Sequence, residues 1–503
     1  MGGPNPLKSV SMKNTDHPNL LLTIAVKAMV DKGFEPDFPS DALKQLATLN
    51  ETSGKGEGGL KDMTQLLWCS IDNDDSRDLD QLTAGENLPE NRLKIYVAVA
   101  DVDQLVKLGT PLDLHAKKNT TSVYTGVKIF PMLPERLSND LTSLNENEKR
   151  VALVIEMTLD AEGHVAVSLV YRAWVLNKAK LTYNGVGDWL EGKGPLPAAA
   201  AKVPGLAENL KLQDEAAQRL KNLRHQQGAL ELETLQPRPV TLDGEVVDLA
   251  LESKNRAGEL IEDFMIAANG VTARFLTTAG FPTLRRVVKI PERWDRIVCV
   301  AEEHGEKLPP EPDSKALNEF LLRQKQKDPL RFPDLSLTVI KLMGRGEYVT
   351  EMPGQAPLGH FGLAVRDYNH STAPNRRYPD LITHRLLKAA LAKGEPPYSR
   401  EDLNSLAFHC TEQENAADKV ERQVRKSASA SFLSKRVGEH FEALVTGASG
   451  KGTWIRLLKP VVEGKLVQNA RGLDVGDRVR VKLISVNIEQ GWIDFANTGR
   501  IGK

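Results

Sequence analysis

Cysteine is scarce in this chain: Cys69, Cys299 and Cys410 are the only three among 503 residues, they stand far apart, and none forms a CxxC pair. That pattern speaks against a disulfide framework and against a structural zinc site. Long apolar runs are missing too. The longest near the start, NLLLTIAVKAMV, is broken by Lys27 and falls short of the ~20 residues a membrane span needs; nor is it placed like a signal peptide. A reducing, cytoplasmic location is therefore expected, with no membrane and no obligate protein partner evident. Charge of one sign is also lacking, since the formal net charge is −1, so any attraction to a polyanion must come from how charge is distributed. What is present, 41% hydrophobic and 26% charged residues, suits a soluble globular protein, and the length suggests two to four domains.

The distribution of charge is uneven. KVERQVRKSASASFLSKR, residues 419 to 436, sets six cations against the single Glu421. CSIDNDDSRDLDQLT, residues 69 to 83, packs Asp72, Asp74, Asp75, Asp78 and Asp80 into nine residues with Arg77 as the only cation among them. One segment attracts phosphate, and the other repels it unless a cation intervenes.

Periodicity divides the chain into parts. Residues 1 to 64 read as a small helical or helix-turn-helix module: PNLLLTIAVKAMVDKGF has apolar residues at helical spacing with Gly33 near its end, and FPSDALKQLATL begins with Ser40 as an N-cap. NETSGKGEGGLKD reads as a loop. Strand-like runs follow, LLWCSID and LKIYVAVADVD, then hairpin patterns turning near Asp160 to Gly163 and at Asp243-Gly244. Helices are expected over Leu206 to Arg224, Arg256 to Leu276, Pro291 to Gly305 and Asp380 to Leu391. From Phe441 the period returns to two, giving about five short strands, which suits a small barrel of the OB type or another small β domain. Trp454, Arg456 and Trp492 are the side chains there suited to gripping a single strand. The whole is an α+β architecture: a helical head over 1–64, a large mixed-sheet catalytic domain over 65–436, and an OB-fold barrel over 437–503.

The acidic run has two bland readings, a solvated loop and a calcium loop. Counted from Asp72, an EF-hand needs Gly at the sixth position and Glu at the twelfth, where this chain has Arg77 and Thr83. The solvated reading is weakened by the buried-strand patterns on both sides, since the end of a core strand is a costly place for surplus carboxylates. A hard dication such as magnesium resolves the repulsion, and with a basic cluster and a nucleic-acid-type barrel further on, metal-assisted phosphodiester cleavage competes evenly with a structural ion site.

SIDNDDSRDLDQL resembles the acidic signature of the ribonuclease II and ribonuclease R (RNB) family. KNTTSVYTGVKIFPMLPERLSNDLTSLN, ELIEDFMIAANGVTARFL, GHFGLAVRDYNHSTAPNRRYPDLITHRLLKA and VERQVRKSASASFL resemble further segments of it in the same order. The resemblance spans roughly residues 62 to 436, and the terminal barrel stands where that family has its RNA-binding OB domain. It implies a magnesium-dependent enzyme, with manganese as the alternative ion, that hydrolyses single-stranded RNA from the 3′ end to nucleoside 5′-monophosphates. By position, Asp72 and the last acidic place are implied as metal ligands and Asp78 and Asp80 as the catalytic pair, Asp80 touching the metal as well. The last place holds Gln81 instead of an acid, which keeps open a second reading, an RNA-binding family member that cuts weakly or not at all.

The same resemblance implies that Tyr124 stacks on the terminal base, Arg422 steadies the scissile phosphate, and Arg376 and Arg377 hold the RNA backbone. For the two adjacent arginines the residues alone also allow an ion pair with Asp380 or Asp367. HSTAPNRRY departs from the family's more usual Thr-Ser-Pro-Ile core. Glu262 lies on a helix whose buried stripe is Leu260, Ile261, Phe264, Met265 and Ala268, and either it or Asp263 reaches toward RNA or solvent. Trp454 is the RNA contact expected of the barrel. His360, His370 and His384 lack HExxH or Cys/His spacing and are read as structural or RNA-contacting. A second stacking aromatic is not identifiable.

Overall fold

The computed structural model describes residues 17–50, 60–242, 245–251, 254–450 and 452–501. Its centre is a seven-stranded mixed sheet. In spatial order the strands are Lys61–Asp62, Val165–Leu176, Lys149–Leu159, Arg92–Ala100, Gln81–Leu88, Cys69–Asp72 and Ala179–Thr182. The middle of the sheet is written in β-branched and apolar runs: Ile95 to Ala100 and Val151 to Leu159 carry almost no accessible surface, as expected of strands covered on both faces. The edge strand Lys61–Asp62 departs from the helical reading of 1–64, because it pairs in parallel with Ala173 and Trp174.

The helices Leu206–Gln226 and Arg256–Thr278 lie on this sheet. Asn255 caps the second of them, its Oδ1 accepting from the Gly258 N–H at 2.9 Å, while its Nδ2 donates to the Tyr183 carbonyl at 3.0 Å. Gly187 makes this possible, since a Cβ there would meet the Asn255 side chain at 2.7 Å.

The element that organises the molecule is a 35-residue helix, Arg400–Ser434, which the sequence reading did not separate from its basic tail. A reciprocal capping box between Ser399 and Asp402 starts it. At ~1.5 Å per residue it reaches roughly 50 Å and enters three apolar clusters in turn. Cys410 joins the main core, Val420 and Val424 a smaller cluster near the head, and Ala430 and Leu433 the barrel core.

The head helices lie against this body, His17–Asp31 on the long helix and Ser40–Thr48 on the helix Pro111–Asn119. Of the loop NETSGKGEGGLKD, residues 51–59 fall outside the described residues, as does the Asp243-Gly244 turn between strands Pro237–Leu242 and Glu245–Leu251. Residues 440–500 form a closed five-stranded barrel in the order His440–Ser449, Gly452–Leu457, Glu463–Gln468, Trp492–Arg500, Arg478–Asn487, the order of an OB fold. Arg456, suggested by its sequence place as an RNA contact, is instead 5% exposed and forked onto Asp334 at 2.8 and 3.2 Å. It docks the barrel on the helix Phe332–Met343.

Candidate active site

The strand Cys69–Asp72 ends in the acidic run, and the fold sorts its five aspartates into two sets. Asp74 accepts from Asn184 at 2.7 Å and Asp75 pairs with Arg238 at 3.0 Å, both exposed. Asp72, Asp78 and Asp80 turn the other way, close enough that the Asp78 charge raises the pKa of both its partners. Asp80 is 2% exposed; burial foremost pushes its carboxyl up to about 7, against the lowering pull of Arg376. Burial also raises Asp72, again opposed in part by Arg376 and by the Asn73 N–H.

A loop from far along the chain completes the site. The Asn375 backbone N–H donates to one oxygen of Asp80 at 3.1 Å, and Arg376 Nε donates to the other at 3.2 Å. Arg377 turns aside to buried Asp380 at 2.8 Å, the ion pair that the bare sequence allowed. Arg422 is exposed on the long helix and makes no ion pair or hydrogen bond among the described residues, so Arg376 is the guanidinium that stands at the acids.

Tyr124 lies on the short ladder Val123–Tyr124 with Ile129–Phe130. The ladder is tied to the arginine loop: Ser122 N–H donates to the Arg376 carbonyl at 3.0 Å, and Thr121 bridges to Arg377. The Tyr124 ring is 41% exposed, and after burial it is the charges of Arg376, Asp78, Asp80 and Asp72 that act on its hydroxyl, which is raised. Tyr183, missed in the sequence, is a second aromatic here; burial and then the Asp72 charge raise its hydroxyl. Its signal was only the helix start after LTY, which carries no chemistry by itself.

A cavity of about 1480 Å³ is lined by Arg224, Asp263, Arg286 and Glu414 among others, and by none of Asp72, Asp78, Asp80, Tyr124 and Arg376. Glu262 lines it too, but is exposed and pairs with Lys254 at 3.1 Å. Asp263, its neighbour, is the buried one; desolvation pushes it up to about 6 despite its ion pair with Arg224. No Phe, Tyr or Trp is among the described lining residues. Trp454 stands apart on the barrel, 38% exposed, with Lys465 Nζ at 6.0 Å over its ring. His384 Nε2 donates to the Ser371 carbonyl, 2.7 Å away, and His370 bonds the Tyr348 hydroxyl at 2.8 Å, so both are engaged within the fold.

Asp72 and Asp78 each have one oxygen engaged locally, by the Asn73 N–H at 2.7 Å and the Ser76 hydroxyl at 3.2 Å, leaving the other for an external partner. Gln81, at the start of its strand, is 9% exposed and its amide has no hydrogen-bond partner among the described residues. No three acidic, histidine or cysteine side chains among the described residues close into a ligand cage. A hard dication that keeps several waters and takes few carboxylates fits such an open arrangement.

Comparison with known proteins places the chain in a family. The RNB domain family model matches residues 60–393, and that of the RNase II-type exonuclease C-terminal S1 domain matches residues 439–498. Ribonuclease R of Aquifex aeolicus is 30% identical over 515 residues, covering 95% of this chain and 71% of that protein. Ribonuclease R of Escherichia coli is 31% identical over 500 residues, covering 91% of this chain and 60% of that protein. The apo form of Mycoplasma genitalium RNase R superposes with a TM-score of 0.86 at 23% identity, over 96% of this chain and 78% of the other.

Proposed function

The chain belongs to the RNB family of exoribonucleases, and from that premise we propose that it is a magnesium-dependent hydrolytic 3′-to-5′ exoribonuclease. Its substrate on this reading is single-stranded RNA and its products are nucleoside 5′-monophosphates. The observation that carries the reading is the convergence of Asp72, Asp78 and Asp80 with Arg376 at the end of a core strand, faced by Tyr124.

Asp72 and Asp78, with Gln81 as a neutral oxygen donor and Asp80 beside them, would hold the ion. When bound, magnesium supplies Lewis-acid polarisation of the phosphate and a water of lowered pKa. The chain's own residues do the rest. Arg376, held against Asp80, presents a planar, always-charged guanidinium where negative charge builds on the scissile phosphate. Tyr124 offers its ring to the terminal base; stacking ignores base identity, as a non-specific nuclease requires, and is worth ~1–3 kcal/mol per base. The barrel, through Trp454 and its neighbours, holds the strand further from the cut.

The competing reading is an RNA-binding member that does not cleave, favoured by Gln81, which supplies no charge where an acid is expected. Oligoribonucleotides labelled at either end, incubated with magnesium or chelator, separate the two. Stepwise shortening from the 3′ end supports the enzyme; a shifted but intact RNA supports the binder.

A further inference from the structure

We infer that the head helix His17–Asp31 and the turn after it are a positioning element for Tyr124, so that this part of the head acts on the terminal nucleotide through the catalytic domain. The inference rests on the stacking role proposed for Tyr124.

The geometry begins with a strand. Val123 and Tyr124 are adjacent on the short ladder, so their side chains point to opposite faces. Val123 is fully buried while Tyr124 is open toward the acids. Val123 shares one apolar cluster with Ala25, Met29 and Phe34 of the head and its turn, with Phe130, and with the long-helix residues Ala417, Val420 and Val424. Leu21, Ala25 and Met29 recur at four-residue spacing on the inward face of the helix, each at most 1% exposed. One face of the ladder thus shares a core with both helices, and Tyr124 lies on the face that is exposed.

Polar contacts fix the same segment from its other end. Just past the head helix, Glu35 exchanges two hydrogen bonds with Asn119: its N–H donates to Oδ1 at 2.9 Å, and Nδ2 donates to its carbonyl at 2.8 Å. Asn119 is 3% exposed and lies five residues before Tyr124. Thr120, next in line, has φ of +59°, a left-handed conformation costly for a β-branched residue, which surrounding contacts must hold. On the far side the Tyr124 N–H donates to Glu421 of the long helix at 2.9 Å. The head, the ladder and the long helix therefore set one ring position among them. Close packing transmits loss of volume under Val123 to the residue beside it.

The test is a double-mutant cycle on the full-length protein. Binding of a short 5′-labelled oligouridylate is measured in chelator, so that cleavage is not needed. Tyr124→Ala is expected to weaken binding at least roughly fivefold, the lower end of a lost base stack. Met29→Ala is expected to weaken it comparably, Met29→Leu to restore it, and Met29→Ala to add less than about twofold in the Tyr124→Ala background, because a residue acting through another is non-additive with it. Phe34→Leu, a milder change, serves as the second head variant should Met29→Ala fail to fold by circular dichroism. Wild-type affinity in folded head variants, or full additivity with Tyr124→Ala, overturns the inference while leaving the stacking role intact. If Tyr124→Ala itself binds normally, the stacking assignment falls first and takes the inference with it.

Discussion

Arg376 and Asp80, 296 positions apart in sequence, meet at 3.2 Å between Nε and Oδ2. The arginine that the family resemblance assigns to the RNA backbone already anchors a buried carboxylate of the acidic run, and the two are a unit.

Removing the cation should therefore act on the chemical step. Arg376→Ala is expected to lower kcat by roughly 10²- to 10³-fold, as loss of one charge-stabilising donor does, and by more than Arg422→Ala lowers it. Single-turnover decay of labelled RNA measures this. Equal losses in the two variants would return Arg422 to the reacting phosphate.

Asp80→Asn should abolish cleavage and leave RNA affinity within about twofold, because the amide keeps an oxygen for the Asn375 N–H while losing the charge. Filter binding beside a cleavage assay separates the two effects. Normal rates in this variant would remove Asp80 from the machinery.

The pH dependence follows from the same residue. Burial raises Asp80 from its ordinary 3.8 to about 7. A carboxyl whose folded value exceeds its unfolded one costs stability as it ionises: the cost is absent below the unfolded value, grows between the two, and is complete above the folded one. A dication offsets that cost only where the proton is off. Magnesium should thus raise Tm clearly at about pH 8 and little at about pH 5.5. Calorimetry at the two pH values checks it, and an equal shift at both would place the ion elsewhere.

Much of the fold was legible because periodicity reports burial directly. The Arg256–Thr278 helix, the Lys149–Leu176 hairpin and the terminal barrel each carry an unbroken apolar pattern. The long helix was not separated because its stripe passes through three different cores and its charges dominate its tail. Within the site the acids were legible from their density, and Asp72, Asp78 and Asp80 were singled out by the resemblance; the partners of the other two, Asn184 and Arg238, are encoded by no local spacing. The resemblance put Arg422 at the scissile phosphate and Arg376 on the RNA backbone; that Arg376 meets Asp80 is a contact across nearly 300 residues, which no local spacing encodes. Arg456 looked like an RNA contact because position in a barrel says nothing about what the barrel rests on.

That last point is testable. Arg456→Ala breaks a largely buried pair with Asp334, a change that costs ~3–5 kcal/mol in comparable settings, and should loosen the barrel from the catalytic domain. Affinity for long RNA should fall more than affinity for oligonucleotides too short to reach the barrel. Equal losses on both lengths would mean that Arg456 acts on the catalytic domain itself.

The most direct measurement of the central claim, that Asp72, Asp78 and Asp80 bring a dication and an RNA linkage together, is a time course with a 5′-labelled oligoribonucleotide. The expected result is a ladder shortening from the 3′ end in magnesium, halted by chelator and absent in Asp80→Asn. RNA that stays intact in magnesium, or that shortens equally well in chelator, would contradict it.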